Sequence, residues 1–206
     1  MQEDGRKVFE RHIEEAIYSF PNLEIKSQGN NKYLKGVIDI NGFGSYLIEI
    51  KYKGGYPKRY PLLYEVGGEI PNIPDYHKYA DNSCCLTVDA DEILKCIKGI
   101  TIKYFIEDVA IPFFANQLVK IKEGKYIKEY SHGNKGVFEF YSELLRTSNL
   151  NRIKMIILSF LYGSVKANDN CICGSGLKTS ECHLDSIIKL QQIGKHQVML
   201  DLKLIS

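Results

Sequence analysis

Two groups of cysteines, each with a histidine nearby, are the residues of this chain best equipped for chemistry. Near the C-terminal end, Cys171-Ile172-Cys173-Gly174-Ser175-Gly176 is followed by Cys182-His183, with eight residues between Cys173 and Cys182. Two close ligand pairs on separate turns can close a tetrahedral site, and three thiolates with one imidazole make a structural zinc set. The glycines let the chain fold back tightly, so that backbone amides point toward the sulfurs. Three cysteines cannot all pair among themselves, which makes disulfides poor competitors. Cys171, Cys173, Cys182 and His183 are therefore the predicted ligands of one structural zinc ion. A closed four-ligand shell leaves no position for a substrate, so its expected role is scaffolding or docking.

The second group lies in residues 67–90, where Cys84 and Cys85 are adjacent and His77 precedes Cys85 by eight positions. A thiol and an imidazole on one loop can form a nucleophilic site, because the thiolate is the reactive form and a nearby imidazole or loop amides favour it. The competing reading is that both cysteines are small core hydrophobes, a common fate of free cysteine. The residues by themselves leave both readings open.

The elements that must position these groups can be read from periodicity. Residues 5–20 carry Phe9, Ile13, Ala16, Ile17 and Phe20 at helical spacing, and Pro21-Asn22 ends the pattern. Four strand-like runs follow at 23–26, 33–40, 45–52 and 62–66, with the hairpin signal Asn41-Gly42 between the second and third. A helix followed by an antiparallel meander predicts an α+β domain. Helical period returns over 101–122, where Pro112 should kink or divide the helix, and again over 136–146 and 149–162. Residues 167–170 are small and polar and read as a linker. Between 67 and 90 neither period holds, and an irregular stretch of that length inside a compact domain is usually functional.

This order of elements resembles the ubiquitin-conjugating enzyme family over residues 1–150. The third strand is followed by Tyr56-Pro57-Lys58-Arg59-Tyr60-Pro61, similar to the family's Tyr-Pro-x-x-x-Pro segment, and Cys85-Leu86 resembles its acceptor cysteine followed by leucine. The resemblance picks Cys85 over Cys84 as the nucleophile. Eukaryotic members carry His-Pro-Asn shortly before the cysteine, whereas this chain has Asp75-Tyr76-His77, and it has no tryptophan. These departures resemble the bacterial branch, in which a histidine precedes a segment like Asn82-Ser83-Cys84-Cys85-Leu86. With the family's asparagine absent, His77 is the candidate to donate to a developing oxyanion or to accept a proton from an attacking amine.

By the same resemblance, the chain is expected to be a UBC-like transferase that carries an acyl group, the C-terminus of a protein, as a thioester on Cys85. Bacterial proteins of this kind occur in anti-phage operons of the CBASS type, where they act on a cGAS-like nucleotidyltransferase. The C-terminal spacing resembles the SEC-C zinc motif, an accessory module that contacts partners. The resulting expectation is a UBC-like fold over 1–150, comprising an N-terminal helix, a four-stranded antiparallel meander and C-terminal helices. Residues 151–206 would add a helix and a small zinc-binding module. The competing function is a non-catalytic UBC-like adaptor that docks through its zinc motif. A zinc-dependent hydrolase is disfavoured by the closed ligand set.

Composition narrows the partners. The 206 residues are 44% hydrophobic and 25% charged, with a formal net charge of +2 from 27 basic and 25 acidic side chains. That balance gives neither nucleic acid nor an anionic membrane a reason to bind. No apolar run follows the charges of the first residues, so no secretory leader is expected. The expected location is the cytoplasm, where cysteines are more often catalytic or metal-binding than disulfide-bonded. No Gly-rich nucleotide loop is present, so an activated acyl donor would have to come from another protein.

Overall fold

The computed structural model describes residues 4–127 and 129–205. Its contacts divide them into two compact units, one of residues 4–86 with 98–129 and one of residues 87–97 with 130–205. The architecture is α+β: a four-stranded antiparallel sheet and several helices.

The first unit opens with α1 (Gly5–Ala16), whose N-cap Asp4 accepts from the Arg6 amide. The helix stops at Ala16, short of the apolar residues Ile17 and Phe20, because the chain turns ahead of Pro21. The strands β1 (Leu23–Gln28), β2 (Asn31–Asp39), β3 (Ser45–Lys51) and β4 (Leu62–Glu65) form a meander in chain order. Asn41 and Gly42 both take positive φ, 50° and 77°, the combination a tight hairpin turn demands. The Phe43 amide closes that turn on the Ile40 carbonyl at 2.9 Å. Register then follows from alternation: Leu34, Ile38, Tyr46, Ile48, Ile50 and Leu63 are all buried on the core face.

Covering that face are α1, α3 (Ile102–Phe105) and α4 (Ile111–Glu123), with Phe9, Phe105 and Phe114 fully buried. Tyr46 stacks on Phe114 with ring centroids 4.6 Å apart. A wide π turn, Ile106–Ala110, lies between α3 and α4, directly ahead of Pro112 in the first turn of α4. Pro112 has no N–H to offer the preceding turn, and the break falls where that bond would be missing. Tyr56, which opens the Tyr-Pro-x-x-x-Pro segment, is buried against Phe9, and its hydroxyl lies 2.6 Å from His12 Nδ1. That segment therefore anchors α1.

The second unit contains α2 (Asp89–Cys96), α5 (Asn134–Leu144), α6 (Leu150–Tyr162), α7 (Thr179–Cys182), α8 (Leu184–Ile193) and α9 (Lys195–Leu204). Val137, Phe140, Tyr141, Ile153, Ile156, Ile157, Leu190 and Val198 make its core. Inside that core the Tyr141 hydroxyl donates to Asp201 Oδ2 at 2.9 Å, and Gln197 Nε2 donates to Oδ1 at 2.8 Å. Among the described residues, no helix is long and apolar enough to cross a membrane.

Candidate functional site

The segment after β4, aperiodic in sequence, has a defined shape. Following a short 3-10 turn, Pro74–Tyr76, the chain forms a narrow hairpin over residues 77–85. Its tip is a turn in which the Asn82 amide donates to the Tyr79 carbonyl at 2.9 Å and Asn82 takes φ 67°. Asp81 Oδ1 braces it, accepting from the Ser83 amide at 3.0 Å and the Ser83 hydroxyl at 2.6 Å. Lys78 bridges Cys84, and the Cys85 amide donates to the His77 carbonyl at 2.7 Å.

Strand parity then sorts the side chains. Directly opposed residues of an antiparallel pair project on the same face, and neighbours along a strand project on opposite faces. Lys78 and Cys84 share the inner face and are buried; His77 and Cys85 share the other, where Cys85 is partly exposed. A ring nitrogen of His77 and the Cys85 sulfur lie within 4.8 Å of one another. The eight-residue spacing thus closes into contact range because the hairpin pairs its ends. Burial pushes the Cys84 thiol up to about 12, which leaves it protonated and inert at neutral pH.

Two sets of contacts hold the hairpin. On its inner face the Cys84 amide donates to the Leu63 carbonyl of β4 at 2.8 Å. Lys78 Nζ donates to the Glu65 carbonyl at 3.3 Å and lies 3.9 Å from Glu65 Oε2. The Glu65 carboxylate also accepts from the amides of Gly68, Glu69 and Ile70. Burial works to raise it, but the Glu69 side chain and those amides outweigh burial and hold it below the usual carboxylate range. On the approach side, α4 grips the 3-10 turn: Gln117 Nε2 donates to the Tyr76 carbonyl at 3.3 Å, and Lys120 pairs with Asp75 at 2.9 Å.

His77 takes a left-handed conformation (φ 51°, ψ 48°) as the cap of that turn, and its ring is buried edge-to-face against Tyr126, 5.1 Å between centroids. Its Nε2 is 3.7 Å from Glu129 Oε2. Neither Tyr126 nor Glu129 is legible from the loop itself, since both arrive from beyond α4. Burial lifts the Glu129 carboxyl to about 7.

The second cluster is compact too. The Cys171 amide donates to the Leu177 carbonyl at 2.8 Å and the Gly174 amide to the Cys171 carbonyl at 3.2 Å, with Gly174 and Gly176 both at φ 78°. These turns bring Cys171 and Cys173 to Cys182 and His183, at the end of α7. His183 Nδ1 lies 3.2 Å from the Cys171 sulfur and 3.1 Å from the Cys182 sulfur, and the Cys173 and Cys182 sulfurs are 3.6 Å apart. A tetrahedral zinc with ordinary bond lengths has edges of about 3.5 to 3.8 Å; the sulfur pair falls in that range, the two imidazole edges are shorter, and all four donor atoms lie within 4.8 Å of one another.

The ring of His183 is oriented for the same purpose. Its Nε2 is 2.8 Å from the Leu145 carbonyl, which can only accept. Nε2 therefore carries the hydrogen and Nδ1 presents its lone pair to the sulfurs. Burial lifts the Cys171 thiol to about 11. Burial also opposes the Cys173 thiolate, but the Ser175 hydroxyl and amide, with the thiols of Cys171 and Cys182, donate to it and bring it down to about 6. The Cys3His cluster can thus bind a metal ion.

No family model matches this chain, and neither a curated protein nor a solved structure matches it.

Proposed function

We propose that this protein is a UBC-like acyl carrier that forms a thioester on Cys85 with the C-terminus of a protein. The observation that carries the reading is the parity of the hairpin: it presents Cys85 beside an imidazole while burying Cys84. The Cys85 thiolate attacks the acyl carbon of a donor activated by another protein, and the donor's leaving group departs with its electron pair. An amine then attacks the thioester carbonyl, its proton passes to His77, and the Cys85 thiolate is released. His77, beside Cys85, can also donate to the oxyanion. The proposed protein substrate is a cGAS-like nucleotidyltransferase in an anti-phage system of the CBASS type, with the cytoplasm as the setting. Support for this part is the resemblance in the helix, the meander, Tyr56-Pro57 with Pro61, and Cys85-Leu86.

The Cys3His cluster is proposed as a structural zinc site of SEC-C type. Cys171, Cys173, Cys182 and His183 would hold the ion and fill its shell, so that zinc fixes the fold of the module and offers no site for substrate.

Incubation with the candidate nucleotidyltransferase, its activating protein and ATP, followed by non-reducing electrophoresis, tests the reading. A thiol-labile adduct should form with the native chain and with Cys84→Ala, and disappear with Cys85→Ala. An adduct lost with Cys84→Ala instead would refute the assignment of the nucleophile. No adduct with any donor, from a chain that still binds the nucleotidyltransferase, would leave the adaptor role in its place.

A further inference from the structure

The buried carboxylate of Glu129 has no function in the scheme above, yet its position is costly. Its Oε2 has no hydrogen-bond partner among the described residues. A buried acceptor left unsatisfied opposes folding and requires an explanation. The Tyr126 hydroxyl, which feels the Glu129 charge, is engaged elsewhere, 3.2 Å from the Asp75 carbonyl and 3.3 Å from Gln117 Oε1. The polar atom that Oε2 approaches is His77 Nε2, at 3.7 Å. That separation is long for a hydrogen bond, as such contacts commonly are before substrate binds.

We infer that Cys85, His77 and Glu129 form a thiol–imidazole–carboxylate relay in which Glu129 is a positioning residue, holding the His77 ring through Nε2 so that the ring can take the Cys85 proton. The inference rests on the reading of Cys85 as nucleophile and deepens it. Two independent features hold the ring near its partners. The paired ends of the hairpin fix it across from Cys85, and Tyr126 packs on it in a T-shaped contact and limits rotation. The proton on the sulfur moves to the imidazole, giving thiolate and imidazolium, and the positive charge of the imidazolium draws the Glu129 carboxyl, which burial lifts to about 7, into its ionised form. Stabilising the imidazolium in this way raises the fraction of Cys85 present as thiolate.

The test needs no acyl donor. In the full chain, the alkylation rate of Cys85 by neutral iodoacetamide and by anionic iodoacetate is read by tandem mass spectrometry, which separates Cys85 from Cys84. Glu129→Gln is nearly isosteric and keeps the packing. It should slow iodoacetamide at neutral pH on the order of tenfold or more, in the direction His77→Ala does. Iodoacetate should slow further still, because the cation beside the thiolate is lost; a merely structural defect would slow both reagents equally. Glu129→Asp keeps the charge and should retain most of the iodoacetate preference. Unchanged rates in Glu129→Gln, or equal slowing of the two reagents, would overturn the inference. Thioester trapping distinguishes this from the function itself. A Glu129-dependent thiol that accepts no acyl group would refute the carrier and leave the relay standing, and a thioester formed equally well in Glu129→Gln would do the reverse.

Discussion

Replacing Lys78 with methionine would remove an ammonium buried beneath the hairpin while keeping most of its apolar stem. The Lys78 side chain is fully buried, and its Nζ reaches the Glu65 carbonyl at 3.3 Å and Glu65 Oε2 at 3.9 Å. Removing one partner of a buried pair costs about 3 to 5 kcal/mol when the charge left behind is uncompensated. Glu65 is compensated in part, since the Gly68 amide still donates to it at 2.7 Å and those of Glu69 and Ile70 at 3.4 Å. The expected cost of Lys78→Met is therefore about 2 kcal/mol, or roughly thirtyfold in the opening constant of the hairpin. Lys78→Ala also loses three buried methylenes at about 0.8 kcal/mol each, for a total of about 4 to 5 kcal/mol. Cys84, on the same inner face, is the reporter: its labelling by a thiol reagent across a urea series, in a Cys85→Ala background, measures opening of this unit alone. The depressed Glu65 carboxyl sets the sign with pH. Its contribution is present above the unfolded carboxylate pKa near 4.5 and is lost as pH falls through the lower folded value. A Lys78→Met opening constant within threefold of the native one would refute the pair as a stabilising contact. Equal effects of methionine and alanine would refute burial of the stem as a contribution.

Purified protein should contain about one zinc per chain by elemental analysis, and Cys173→Ser should release it and raise hydrogen exchange in residues 169–183; a metal-free protein with full protection there would refute the site. His77→Ala should slow thioester formation or discharge on the order of a hundredfold to a thousandfold, and His77→Asn should recover part of that loss by restoring a neutral donor. Burial raises the Asp201 carboxyl, so its contribution is intact below the unfolded value and is lost as pH rises through the folded one. Asp201→Asn, which can keep contacts to Tyr141 and Gln197, should accordingly raise the melting temperature at neutral pH, with the gain shrinking toward pH 4. Gly42→Ala should cost about 1 kcal/mol in urea unfolding, because a side chain is strained at φ 77°.

What was legible in the sequence is local. Strand alternation and Asn41-Gly42 give the meander, Pro112 gives the break in the helix, and close spacing gives the Cys3His cluster. The contact of His77 with Cys85 was half legible: the types and the spacing were visible, but the hairpin that pairs them has no period to read. Glu129 and Tyr126 were not legible at all, because they reach His77 through tertiary closure from more than 40 residues beyond Cys85. Lys78 reads as a surface residue by type, and the Glu65 carbonyl and carboxylate make its burial tolerable. The helix α2 has just eight residues, with acidic side chains filling its first turn, too few for a stripe to emerge. In α9, Val198 and Asp201 are buried while Met199, Leu200 and Leu204 are exposed, so its inward face does not follow hydropathy.

The parity of the hairpin also decides what oxidants can do here. Adjacent cysteines are often treated as a ready disulfide, yet Cys84 and Cys85 leave the backbone on opposite faces, and joining them would require undoing the Lys78–Cys84 bridge. A sulfenic acid formed on Cys85 has no resolving thiol in its own neighbour. Its fate passes to small thiols from solution or to the next step of irreversible oxidation. The same geometry that selects one sulfur for acyl chemistry thus leaves that sulfur dependent on the reducing capacity of its surroundings.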